Sequence, residues 1–381
     1  MWYLNRSIQF VIDNLTREEM MKTRLGKLIA ICLSAVVAAA FATSVSAQDL
    51  PKTHLKVIGP HSKTTTWKLN IRPFWEEELP ALSKGAITAD LVSMTEMGLK
   101  GPEIFRLIKI GVADIGSTGT GYAAGEVPEL DGFDLSGVIQ DVATLRKVVA
   151  AYSPIIDKIM RKRVGVRMLA VWPTVQQSIW CAVPVKGLAD MKGKKVRVFA
   201  TTQADFLKAI GAAPVTMAFS EVVPALQRKV IDCAVTGTLS GNLAKWPEVA
   251  THLYPINMGW SLWIMTVNEK SWARVDPKVQ AFILEKLNSV MIKRAWKIAE
   301  DGTMQGIWCS TGDKRCTWGA EYQVTKYNST LVPYTKEDDA RMKKLVQANA
   351  LPQFAKRCGA SCVKAWNKTV GKVTGLTAKA P

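Results

Sequence analysis

Histidine is scarce in this chain. His54, His61 and His252 are the only three in 381 residues, too few and too scattered to build a catalytic triad or a metal site. No G-x-S-x-G elbow is present either, so the nucleophile–base set of a secreted α/β enzyme is missing and no enzymatic activity is expected. No low-complexity tract and no internal repeat interrupts the chain. Beyond Ala42, no apolar run reaches the roughly twenty residues that a membrane span requires. Acidic residues are also few, 32 against 50 Lys and Arg, which leaves a formal net charge of +18. The basic residues are scattered, without the clustered stripe of a nucleic-acid-binding surface. Nucleic acid is therefore excluded as a partner; the excess charge favours solubility and attracts anionic ligands. Gly119-Thr-Gly121-Tyr-Ala-Ala-Gly125 imitates a dinucleotide loop, but a lone G-x-G-x-x-x-G is weak and lacks a well-placed ribose-binding acid. No cofactor is expected.

What is present begins with a leader. Lys22, Arg24 and Lys27 precede an apolar core from Leu28 to Ala42, and Val45-Ser46-Ala47 follows before Gln48. A charged region, a core of about fifteen residues and a small-residue cleavage site make a secretory signal, and the core is short for an uncleaved anchor. Residues 1–47 are thus expected to be a signal peptide, with an over-extended start before Met20. Cys32 lies inside the core, which speaks against a lipid anchor. Residues 48–381 are long enough for two domains. They hold six cysteines, an even number that favours disulfides in an oxidising compartment. Cys309 with Cys316, and Cys358 with Cys362, would close small local loops. Cys181 and Cys233 fall on separate strands and could bridge neighbours, although six cysteines allow fifteen pairings. A zinc site from the last four is the rival, but C-x6-C and C-x3-C are not ribbon spacings.

Strand and helix signals alternate along most of the chain. Strands are predicted at Thr53–Gly59, Ile87–Ser93, Val112–Gly116, Arg167–Val171 and Ser178–Val183, and a β-prone run at Trp260–Asn268. Helices are predicted at 65–79, 102–109, 144–160 and from Pro277 to about Met304. The pattern is densest from Asp190 to Gly241. Lys195–Phe199 alternates around Arg197, Ala204–Ile210 is helical and closed by Gly211, and Pro214–Met217 is a strand. Ser220 reads as a helix N-cap, and Ile231–Val235 as a third strand. Such alternation gives an α/β fold with a parallel sheet, and ligands bind beyond the carboxyl ends of the strands. Arg197 stands near such an end. Its guanidinium is always charged and can grip a carboxylate with two parallel bonds; the plain reading is a surface arginine after Lys194 and Lys195.

The same segment resembles a known family. The D-x-K-G-x-K-x-R-V run from Asp190 to Val198, the A-x-G-A-x-P-V-x-M-A-F-S-E-V run from Ala209 to Val222, and the A-L-Q and V-I-D that follow are similar to the solute-binding subunit of tripartite ATP-independent periplasmic (TRAP) transporters, of the dicarboxylate-binding DctP type. Weaker similarity extends from Val57 to about Lys286, and the last eighty residues match poorly. The resemblance implies two three-layer α/β lobes with a cleft between them. Lobe I would take 48–173 plus 260–300, and lobe II 174–259 plus 301–381. The chain would cross near Trp172, near Trp260 and late in the long helix. The implied protein is a periplasmic monomer that captures a small organic acid and docks on TRAP permease subunits in the membrane. A binding protein of an ABC transporter or a sensor kinase, and a secreted α/β enzyme, are the alternatives.

The resemblance also assigns residues. Arg197 matches the family's carboxylate-clamping arginine, and Phe219 its ligand-facing aromatic. Thr236 stands where many members place a ligand-contacting asparagine, and Gln177 falls near where sialate-binding members place another arginine. Both departures speak against sialate. Ser117 and Thr118 end a strand that faces the cleft in the family, and Trp67 and Trp260 are candidates for an aromatic pocket wall; core packing is the alternative for both tryptophans.

Overall fold

Residues 50–381 are described by the computed structural model; the expected leader at 1–47 lies outside the described residues. Eleven strands form among them: β1 (Thr53–Gly59), β2 (Ile87–Ser93), β3 (Ile115–Gly119), β4 (Val166–Trp172), β5 (Gln177–Cys181), β6 (Lys195–Val198), β7 (Ala213–Thr216), β8 (Cys233–Gly237), β9 (His252–Tyr254), β10 (Trp263–Asn268) and β11 (Thr330–Leu331). They make two sheets. The first has the order β2-β1-β3-β10-β4 and the second β11-β9-β5-β8-β6-β7. In the first, β1 runs parallel to β2 and β3, and only β10 opposes its neighbours. In the second, only β5 does. Helices connect the parallel strands, so the α/β expectation of mainly parallel sheets holds.

Sheet two is covered on both faces, and period-two alternation assigns its side chains. Val196, Val198, Cys181, Cys233 and Val235 join one apolar cluster. Trp180, Ala234 and Leu253 join another, with Phe219 and Trp246. Arg197 lies between Val196 and Val198 and pairs in register with Ala234, so its side chain points to the Phe219 face. Some boundaries differ from expectation for local reasons. Gly111 has φ 77° and turns the chain, leaving Val112 outside the strand and exposed, so β3 starts at Ile115 and contains Ser117 and Thr118. Ser220 caps nothing; the Glu221 carboxylate accepts the Ala218 N–H at 2.9 Å instead.

The chain passes between the sheets from β4 to β5 and from β9 to β10. The two connectors run side by side: Thr174 N–H donates to Trp260 O at 3.0 Å, Gln177 N–H to Gly259 O at 2.8 Å, and Met258 N–H to Gln177 O at 3.0 Å. Gly259 at φ 113° and Ser261 at φ 47° bend the second connector. A third passage is helical, over 277–310; Leu287–Ile292 lies on β4 and Lys293–Ser310 on the helix Thr238–Leu243. A Cβ on Gly306 would lie 2.6 Å from Thr238 Oγ1, so glycine is what allows that close packing.

The tail touches both halves of the fold. Met342 joins the core beneath sheet two, whereas Trp366 Nε1 donates to Gly132 O at 2.9 Å. Arg357 reaches Asp131 at 3.1 Å and Asp205 at 2.5 Å. All three expected cysteine pairs are disulfides. Cys181–Cys233 joins register partners on β5 and β8, with Cα atoms 4.0 Å apart; Cys309–Cys316 and Cys358–Cys362 close the local loops.

Candidate functional site

The carboxyl ends of strands from both sheets converge on one small cavity. Sheet two contributes Arg197 and Phe199 from the end of β6, Thr236 from β8, and Phe219 after β7. The loop after β1 contributes Thr64, the start of the helix Thr66–Ile71 contributes Thr66, and the short helix after β3 contributes Tyr122. Gln177 comes from the start of β5, and the second connector adds Ser261. Ends of parallel strands at the junction of two sheets are where such folds place ligands.

Arg197 is the charged centre of this cavity and is fully buried. Its Nε donates to Met217 O at 3.0 Å and its Nη1 to Val235 O at 2.8 Å. Those two backbone acceptors fix the plane of the guanidinium, while Nη2 has no protein partner. Phe199 and Phe219 stand 5.4 and 5.9 Å from the guanidinium carbon, within cation–π range. Burial lowers the pKa of Arg197 and the Tyr122 hydroxyl beside it opposes the shift; a guanidinium keeps its charge in either case. Burial in turn raises the Tyr122 phenol. His61 stacks on Phe219 with ring centroids 6.0 Å apart, and burial together with the Arg197 charge holds it down to about 4. It is therefore neutral at physiological pH. The result is one fixed cation with an unsatisfied donor, in an aromatic and hydroxyl-lined enclosure, an arrangement chemically able to hold a small anion.

Contacts between the two sides close the enclosure. Thr65 Oγ1 and Ser240 Oγ are 2.9 Å apart, and Lys100 Nζ reaches Glu221 at 3.2 Å over the adjoining mouth. Behind the cavity, Asp134 Oδ2 accepts the Trp260 and Ser261 N–H groups at 2.6 and 2.9 Å and so holds the bent connector. Burial pushes the Asp134 carboxyl up to about 7 against the pull of those two donors.

Of the residues singled out in the sequence, Arg197, Phe219, Thr236 and Gln177 meet at this cavity, and Ser117, Thr118, Trp67 and Trp260 do not line it. Thr118 Oγ1 donates to Gly101 O at 3.0 Å, and Ser117 is buried within β3. Trp67 packs its ring over Gly59; its neighbour Thr66, on the adjacent face of the same turn, lines the cavity instead. Trp260 donates Nε1 to Ile139 O at 3.0 Å, and Trp263 takes the lining position. Tyr122 and Phe199 escaped the sequence reading. Tyr122 hides in the glycine-rich stretch that imitates a dinucleotide loop. The signal for Phe199 was its place two residues beyond Arg197 at a strand's carboxyl end.

Among the described residues, no group of three or more His, Cys, Asp or Glu side chains could hold a metal ion, and no helix is long and apolar enough to cross a membrane.

Comparison with known proteins agrees with this architecture. Residues 60–305 match the family model DctP, bacterial extracellular solute-binding protein, family 7. The C4-dicarboxylate-binding periplasmic protein DctP of Rhodobacter capsulatus is 27% identical over 200 residues, 52% of each chain. The 2,3-diketo-L-gulonate-binding periplasmic protein YiaO of Escherichia coli K12 is 24% identical, over 51% of this chain and 60% of that one. The chain spans about half the length of the curated relatives it matches. Many crystal structures share its fold. A Bordetella pertussis extracytoplasmic solute receptor binding pyroglutamic acid aligns at TM-score 0.71 and 21% identity, over 84% of this chain and all of that one. The sugar acid binding protein of Advenella mimigardefordensis, in complex with galactonate, aligns at 0.72 and 17%, over 85% of this chain and all of the other. The fold is thus the two-lobed one of these binding proteins, and the chain belongs to family 7 of the bacterial extracellular solute-binding proteins, the DctP family.

Proposed function

We propose that this protein captures a small organic acid outside the cytoplasmic membrane, without making or breaking a bond, and delivers it to the membrane subunits of a TRAP-type permease. The reading rests on one observation above all: a fully buried Arg197, anchored by two backbone carbonyls, with Nη2 unpartnered at the cavity. A carboxylate oxygen supplies the missing acceptor and neutralises the buried charge, and a charge-assisted bond of this kind is the strong class. Phe219 covers the ligand, and Thr236 and Gln177 hydrogen-bond its polar substituents. Lobe I (48–173 and 260–300) and lobe II (174–259 and 301–381) close around it. Closure follows because a ligand between the lobes contacts both only in the closed state, and the closed monomer is what the permease receives. The first 47 residues are removed on export, so the exported protein starts at Gln48, which N-terminal sequencing checks.

The deciding experiment is calorimetric. A thermal-shift screen of organic acids first identifies a ligand, and its affinity is then measured for wild type and Arg197→Lys. Lysine keeps the charge but loses the fork and its two backbone anchors. A loss of about 1.5–3 kcal/mol is expected, roughly ten- to a hundredfold in Kd. Unchanged affinity would refute the clamp.

A further inference from the structure

The cavity contains a single formal charge. Its lining holds the Arg197 guanidinium but no carboxylate, lysine or second arginine. Its other polar groups are neutral. Gln177 commits its Nε2 to Thr174 Oγ1 at 3.2 Å and Val175 O at 3.0 Å. Those two acceptors fix the orientation of the amide, whose oxygen remains as an acceptor. Thr66 Oγ1 is buried and lacks a protein partner, and Thr236 is buried with it at the cavity wall.

No nearby group adds a second positive charge. His61, against Phe219, is held neutral by burial and by Arg197 itself. Lys100 stands at the adjoining mouth and is already paired with Glu221.

From this charge count we infer that the site selects acids with one carboxylate and a neutral hydrogen-bonding substituent, and rejects dicarboxylates. The inference rests on the carboxylate reading of Arg197 given above. A second carboxylate would be enclosed with only hydroxyls and an amide for company. Burying a charge without a counter-ion costs far more than burying a neutral amide whose N–H can reach the Gln177 oxygen.

Isosteric pairs test this directly. The purified exported protein is titrated near neutral pH with acids that differ by one amide-for-carboxylate exchange, succinamate against succinate and 2-oxoglutaramate against 2-oxoglutarate. Pyroglutamate and lactate, set against glutarate and malate, extend the panel. The singly charged member of each binding pair should bind on the order of a hundredfold more tightly, the scale of an unpaired buried charge. A dicarboxylate that equals or beats its partner overturns the inference. On acidification below its second carboxyl pKa a dicarboxylate should catch up with its partner, because the protonated acid then carries a single charge; a gap that does not close there also overturns the inference. Silence from every acid in the panel would overturn the carboxylate reading itself, and the selectivity inference with it. Strong binding that is lost in Arg197→Lys but shows no preference within pairs would overturn the selectivity alone.

Discussion

Replacing Asp134 with asparagine should make the protein's stability less dependent on pH, in a direction opposite to the usual loss of a carboxylate. The Asp134 side chain accepts two backbone N–H groups from the bent connector, yet its other oxygen, Oδ1, is buried without a partner. Burial wins over the two donors and raises the carboxyl from 3.8 to about 7. The folded state therefore holds a proton that the unfolded chain releases. The stabilisation this proton gives is fully present below pH 4, fades as pH rises, and is gone above the folded value near 7. The full span is worth roughly 4 kcal/mol, as an order of magnitude. Asparagine keeps one oxygen for the two N–H donors and cannot ionise. Its amide nitrogen would lack a partner, which costs about 1–3 kcal/mol at every pH. The difference between Asp134→Asn and wild type should therefore start negative near pH 4 and climb by about 4 kcal/mol towards pH 8. Denaturant unfolding at several pH values within that range reads the slope. A difference that stays flat with pH, or that falls as pH rises, would show that the Asp134 carboxylate is not desolvated in the fold.

The tail supplies a second test. Arg357→Met would leave Asp131, which is 5% exposed, and Asp205 without their shared cation, and should lower stability by about 3–5 kcal/mol. Adding Asp131→Asn to that variant should recover part of the loss, read from urea midpoints. The disulfides should differ in weight because their loops do. Cys181–Cys233 spans 52 residues and Cys309–Cys316 only 7, so chain entropy assigns about 4 kcal/mol to the first and about 2 kcal/mol to the second. Double Cys→Ser variants of each pair, compared by thermal unfolding, should keep that order.

Much of the architecture could be read from local pattern. β1 and β2 fall where alternation put them, at Thr53–Gly59 and Ile87–Ser93, because half-buried strands carry a period-two signal. Positions where a turn overrides hydrophobicity were less legible. Val112 is apolar but follows a left-handed glycine, and Ile231 is apolar but precedes β8. Both are loop residues that pass for strand starts, since a pattern records side-chain polarity and not the dihedral that precedes it.

The site divides in the same way. Arg197 was visible because a cation between two valines at a strand end is unusual, and because a run of neighbouring motifs resembles one family. Phe219 and the β8 end at Thr236 travelled with those motifs. Trp67 and Trp260 were plausible by type, yet one turn of helix and one bend of connector gave the cavity to Thr66 and Trp263.

By itself, then, the sequence determined the alternating strands and helices, the arginine poised at a strand end and the two local cysteine pairs. Each of these is written in local spacing or in one motif-rich segment. Only the tertiary structure decided which aromatic and hydroxyl groups face the arginine, that no second cation joins it, and that Asp134 is buried behind it. Those properties depend on residues 60 to 130 positions apart in the chain meeting across the crossings of the connectors, and on the burial that follows. Neither the meeting nor the desolvation has a local signature, because both arise from packing.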